Sequence, residues 1–293
     1  MDRLKRFSTL FILLAAVVVT LLVLFLTIPK ADSRLKVSQD GNQNYKKTIH
    51  FVAVGDSLTE GVGDETKSGG YVPLVENALQ QKYELNSVEK DNYGVSGERS
   101  DQILKRVKND KDLRNSLASA DIITMTVGGN DLFQAFQKHL NAKNAKQFDS
   151  SIKKYGKYVE DILAQMRELN PDAPIYVVGI YNPYYMNFPD ITAMQTVVDN
   201  WNKKTKSLTA DATHCYFVPV NDLLYKGIQT ETSASESTTA SSTSTSSTTE
   251  TKNNVLYDED NFHPNNLGYQ LMANAIQDKI MDTKDLWLLK EKK

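Results

Sequence analysis

Ser57 directly follows a short apolar run, Phe51–Val54, and two turn residues, Gly55 and Asp56. Such a run reads as a buried strand of a parallel sheet, and ligands of open α/β sheets bind outside the carboxyl ends of the strands. A serine there is a candidate nucleophile, but its hydroxyl is weak at neutral pH and needs a base. The chain has four histidines, His50, His139, His214 and His263. His50 enters the first strand and His214 precedes the fifth, both at the far edge of the sheet, and His139 lies in a lysine-rich polar stretch. Those three read as surface or strand-end residues. His263 lies in Asp258-Glu-Asp-Asn-Phe-His-Pro-Asn265, after the fifth strand and at the edge where Ser57 emerges. Asp260, three residues earlier, can accept a hydrogen bond from the imidazole across a turn, with Asp258 as a rival. That bond would fix the ring tautomer and stabilise the imidazolium. The plainer readings are a tight Gly-Asp-Ser turn, a loop histidine before a helix opened near Pro264, and a turn carboxylate.

Attack by a serine on an ester develops a negative oxygen that needs preorganised donors. Gly97 follows the second strand and can offer a backbone N–H that no side chain obstructs. Asn130 follows the third strand and can offer an amide, and the N–H of Ser57 is a third donor. Gly97 also fits an ordinary turn glycine, and Asn130 a helix cap. Asp131 is the better candidate for capping the helix that follows.

These residues depend on alternating strands and helices. The second strand is read at Ser87–Asn92, the third at Ile122–Val127, the fourth at Ile175–Ile180 and the fifth at Tyr216–Val220. Helical periodicity covers Val72–Tyr83, Asp101–Lys108, Ser151–Leu169, Ile191–Leu208 and Asn265–Met281. This alternation predicts an α/β fold with a central parallel sheet covered on both faces. Cys215, the single cysteine, lies in an apolar run and reads as core; one cysteine excludes an internal disulfide and a thiolate zinc site. A net charge of −2 gives no sign of a nucleic-acid partner.

Ser57 in Gly-Asp-Ser-Leu, Gly97 in Asn-Tyr-Gly-Val-Ser-Gly, Asn130 in Gly-Gly-Asn-Asp and His263 in Asp-x-x-His-Pro-Asn resemble the four blocks of the SGNH hydrolases, also called GDSL lipases or esterases. All four occur in family order, over about residues 49 to 283. The resemblance implies a flavodoxin-like three-layer α/β/α sandwich and hydrolysis of esters or thioesters without metal or cofactor. It implies Ser57 as nucleophile, His263 and Asp260 as base and orienter, and Ser57, Gly97 and Asn130 as oxyanion donors.

Outside the blocks, Leu10 to Ile28 is a run of 19 residues whose only polar members are Thr20 and Thr27. At ~1.5 Å per residue it spans about 28 Å, close to the ~30 Å hydrocarbon core of a bilayer. It is longer than a cleavable signal core and lacks an Ala-x-Ala site. Arg3, Lys5 and Arg6 before it favour an N-terminus inside, although Lys30, Arg34 and Lys36 follow it. The expected organisation is therefore a cytoplasmic N-terminus (1–7), a transmembrane signal anchor (8–29), a polar stalk (30–48), a hydrolase domain (49–283) and a basic tail (284–293). The anchor and stalk look like those of Gram-positive surface members of the family. Residues 230–252, almost all Ser, Thr, Ala and Glu, are expected to be a disordered insertion.

The protein expected is a monomeric, single-pass membrane esterase with its domain outside the cell. Its ester would be a lipid, a lysophospholipid or an O-acyl group, including O-acetyl groups of a wall polymer. Tyr181, Tyr184, Tyr185 and Phe188 are candidates for lining an acyl or sugar site, or for ordinary packing. A non-catalytic glycan-binding module and a metal-dependent deacetylase using Asp56, Asp258, Asp260 and His263 are the competing classes.

Overall fold

The computed structural model describes residues 44–139, 142–186, 192–228 and 253–289. The expected anchor, nearly all of the stalk, the Ser/Thr-rich insertion and Phe188 lie outside these residues. Among the described residues no helix is long and apolar enough to cross a membrane.

Five strands form the sheet: β1 (Thr48–Gly55), β2 (Ser87–Gly94), β3 (Ile122–Thr126), β4 (Ile175–Val178) and β5 (Cys215–Val218). They lie in the order β2-β1-β3-β4-β5, and every neighbouring pair is parallel. This is the flavodoxin-like order, in which the chain reverses direction across the sheet beside β1. Side chains explain the uninterrupted apolar runs. Val52 and Val54 of β1 enter one core with Ile123, Met125, Ile175 and Val177. Phe51 and Ala53 enter a second core with Ile122, Tyr176 and Val178. Both faces are therefore dry, and alternation of polar residues would bury charge. Edge strand β2 is the exception, with Glu89 and Lys90 exposed; such charges discourage pairing with another chain.

The first core is covered by α3 (Ser100–Asn109), α4 (Lys111–Ser119), α5 (Gly129–Lys138), α6 (Asp149–Leu169) and α7 (Thr192–Asp211). On the second face lie α1 (Ser57–Glu60), α2 (Tyr71–Tyr83), α8 (Asn221–Leu224) and α9 (Asn266–Asp282). Helix α4 has only Leu113 and Leu117 buried, and Asp110 caps it by accepting from the N–H groups of Asp112 and Leu113. Cys215 is buried in the first core.

The end of the chain differs from the expected tail. Trp287 and Leu288 are 1 % and 0 % exposed, within the second core. The Trp287 ring meets Tyr83 edge-on at 5.2 Å, and its Nε1 donates to the Ile280 carbonyl at 3.0 Å. Lys46 N donates to Leu288 O at 2.8 Å, and Tyr45 bridges Leu289. Two large apolar side chains within six residues of a helix end are enough to fold the chain back.

Candidate active site

Gly55 ends β1, and Asp56 begins a one-turn helix rather than an open turn. Its carboxylate accepts from Leu58 N at 3.1 Å, while Gly61 closes the turn in a left-handed conformation. Ser57 is thus the first residue of α1, where a backbone N–H has no intrahelical acceptor. Thr126 at the end of β3 holds this corner from behind: its hydroxyl donates to Asp56 Oδ1 at 2.7 Å and accepts from Asp56 N at 3.2 Å. Burial pushes the Asp56 carboxyl above its ordinary pKa, outweighing these hydrogen bonds. Thr59, Tyr71 and Thr124 extend the buried hydroxyl network beneath Ser57.

The His263 ring reaches this corner from the other end of the sequence. Its Nε2 is 2.9 Å from Ser57 Oγ, and its Nδ1 is 2.6 Å from Asp260 Oδ2. Asp260 uses its other oxygen to accept from the N–H groups of Phe262 and His263, at 2.8 and 2.9 Å. It is therefore a turn carboxylate and the partner of the imidazole at once. Burial alone would raise its pKa; the His263 ring and the two N–H groups outweigh that and hold it low. Asp258 does not take this place. Tyr181 fixes the loop, its hydroxyl donating to Phe262 O at 2.6 Å. On the other side, a Cβ on Gly63 would come within 2.5 Å of Pro264 O, so the loop after α1 packs directly on the histidine loop.

Ser57 and Asn130 line one cleft with Leu58, Gly129, Ile180, Tyr181, Pro183 and Phe262. Gly97 is not among the residues lining it. Its loop is tied to the cleft instead, because Asn130 Nδ2 donates to Glu98 O at 2.9 Å. Gly97 has φ +80°, and a Cβ there would meet nothing within 4 Å. Its backbone conformation, rather than crowding within the chain, favours glycine. Asp131 does not cap its own helix. It accepts from Ser100 N at 2.9 Å and from the Ser100 hydroxyl at 2.5 Å, and so caps α3.

The three other histidines sit apart from this corner. His50 bonds Ser119 and Asp91, His139 ends α5 against Phe148, and His214 precedes β5. The donor set Asp56, Asp258, Asp260 and His263 does not converge. Among the described residues, no group of three or more His, Cys, Asp or Glu side chains is placed to hold a metal ion.

Two residues with no motif to announce them complete the frame. Arg106 of α3 donates to Tyr93 O, Gly55 O and Glu98 Oε2 at 3.0, 3.1 and 2.6 Å. Glu60 of α1 accepts from Ser96 N at 2.5 Å. Together they seat the Gly97 loop against the end of β1.

The chain is 31 % identical over 264 residues to YpmR of Bacillus subtilis strain 168, a protein of uncharacterised function; the match covers 88 % of this chain and 92 % of that one. It is 27 % identical over 166 residues to the spore germination lipase LipC of Bacillus licheniformis, covering 55 % of this chain and 75 % of LipC. In fold it resembles the lipase Lip_vut3 from a goat rumen metagenome, with TM-score 0.62 and 21 % identity over 78 % of this chain and 96 % of that one. It also resembles the acetylxylan esterase Axe2 of Geobacillus stearothermophilus, with TM-score 0.52 and 18 % identity over 79 % and 94 % of the two chains. Residues 53–271 match the GDSL-like lipase/acylhydrolase family, and the chain belongs to that family of ester-hydrolysing enzymes.

Proposed function

We propose that the protein is a membrane-anchored extracytoplasmic serine esterase in which Ser57 is the nucleophile, His263 the base and Asp260 its orienter. The observation that carries this reading is the unbroken chain from Ser57 Oγ through the His263 ring to Asp260, at 2.9 and 2.6 Å. Ser57 Oγ attacks the ester carbonyl as its proton passes to His263 Nε2, and the imidazolium is stabilised by Asp260. The negative oxygen of the tetrahedral intermediate is met by Ser57 N, Gly97 N and the Asn130 amide. Asn130 Nδ2 has two hydrogens, of which Glu98 O takes one. Collapse of the intermediate breaks the C–O bond, and His263 returns the proton to the leaving alcohol. Water deprotonated by His263 then releases the acid from the acyl-Ser57 ester.

Full-length protein in detergent will hydrolyse p-nitrophenyl acetate or butyrate with EDTA present, and Ser57→Ala will not. Equal rates for the two proteins would overturn the serine mechanism and favour the glycan-binding module. The apolar run Leu10–Ile28 supports the anchor. Alkaline carbonate will leave the protein in the membrane pellet, and protease added to intact protoplasts will digest the domain. Release by carbonate would exclude the anchor, and protection from protease would reverse the orientation.

A further inference from the structure

An apolar groove begins one helical turn from the Ser57 cleft. Phe133 and Phe136 of α5, Phe148, Tyr184, and Met194 and Val197 of α7 line it, around ≈ 890 Å³ of space open to solvent. Two separate segments join it to the cleft. On α5, Asn130 lines the cleft and Phe133, three residues on and therefore on the same side, lines the groove. In the loop after β4, Pro183 lines the cleft and Tyr184 the groove, with the Tyr184 ring 6.3 Å from that of Phe262 in the cleft wall.

The lining has no Asp, Glu, Lys or Arg; its polar members are His139, Asn144 and the Tyr184 hydroxyl. Phe136 and Phe148 meet edge-on at 5.0 Å, and Phe133 is left 44 % exposed at the rim. Apolar side chains make up most of the wall, and an unbranched hydrocarbon needs only such apolar area, whereas a sugar would need more convergent donors and acceptors than those three polar residues offer. We infer that the groove takes the acyl chain of the ester, making the enzyme selective for medium-chain fatty acyl groups over acetyl. This rests on Ser57 being the nucleophile. Helix α5 advances ~13 Å from Asn130 to His139, long enough for an extended chain of about eight to ten carbons. Each methylene fully moved from water into the groove raises kcat/KM about fourfold.

The test is kcat/KM of the full-length protein in detergent for p-nitrophenyl acetate, butyrate and octanoate. Octanoate is expected to exceed butyrate about tenfold or more, below the limit for four fully buried methylenes. Two variants read the groove itself: Ala193→Trp adds bulk to its wall, and Phe133→Asp puts a carboxylate at its rim. Both positions border solvent, and thermal melts verify folding. Each is expected to lower the octanoate-to-acetate ratio about tenfold. Ser57-dependent turnover that does not rise with chain length, or a ratio that neither variant moves, overturns the inference. If the wild type is no faster than Ser57→Ala on every ester, the serine mechanism has failed, and titration with free octanoate then decides the groove. Binding weakened by Phe133→Asp supports it, and absence of binding overturns it.

Discussion

The guanidinium of Arg106 donates to the carbonyl of Gly55 at 3.1 Å, so the residue before the Asp56–Ser57 corner is held by the helix that follows the Gly97 loop. The same group reaches Tyr93 O and the Glu98 carboxylate, which fixes the ends of β1 and β2 and the loop after β2 as one body. Lysine keeps the charge but not the fork. Arg106→Lys will lower kcat on p-nitrophenyl acetate by roughly 10²-fold, the usual cost of displacing reacting groups by about an ångström. Its circular dichroism will match the wild type. A folded Arg106→Lys with unchanged kcat would show that Gly97 does not act on the reacting carbonyl.

Asp260 accepts from His263 Nδ1 with one oxygen and from two backbone N–H groups with the other. In Asp260→Asn the amide oxygen can keep only one of these roles. With the oxygen on the backbone, the amide N–H₂ faces Nδ1 and selects the wrong tautomer, so kcat will fall ~10³–10⁴-fold with KM little changed. Asp258→Asn, on the same loop, will retain most activity. Comparable losses in the two would dissolve the distinction between them.

Asp56 behaves in the opposite sense to Asp260. Burial raises its folded pKa above the ordinary 3.8, so the folded state binds the proton more tightly than the unfolded chain. Its contribution to stability is therefore fully present below the unfolded pKa and is lost as pH rises through the folded pKa. Asparagine offers the same Oδ1 to Leu58 N and the Thr126 hydroxyl without the buried charge. Asp56→Asn will melt at a higher temperature than the wild type near pH 8, and the gap will shrink as pH approaches 4. A gap that stays constant over this range would mean that the carboxyl has the same pKa in the folded and unfolded protein.

The strands and most of the long helices are legible because a sheet covered on both faces demands apolar runs, and each covering helix shows its own stripe. Ser57 is legible because it follows an apolar strand, His263 because the chain has only four histidines, and Asp260 because it lies three residues before His263. Arg106 and Glu60 are not, because each looks like any surface charge until α3 and α1 fold back over the strand ends. The reach of Asp131 to Ser100 is hidden for the same reason: 31 residues separate them in the chain. Helix α4 shows too short a stripe, two leucines four residues apart, and the one-turn helix at Ser57 depends on a buried cap that reads as a plain turn.

Trp287 and Leu288 stand out as the apolar members of a short basic tail, but their burial is not legible because the segment is too short to show a helical or strand period. In the fold Trp287 is 1 % exposed, bonded to Ile280 O and packed edge-on against Tyr83, so it joins α9 to α2. The segment after it holds the start of the domain, since Leu288 O accepts from Lys46 N. Replacing a buried tryptophan by alanine typically costs ~3–5 kcal/mol, through lost burial and the cavity left behind. In a domain of this size each kcal/mol moves the midpoint by about 2–4 °C, so Trp287→Ala will melt roughly 6–20 °C lower. Ending the chain at Thr283 will cost more, because it also removes Leu288 and the link to residue 46. Ester hydrolysis well below the melting range will persist in Trp287→Ala, because its partners are α2 and the end of α9 rather than the Ser57 corner. A midpoint within about 2 °C of the wild type would show that these residues do not pack in the core in solution.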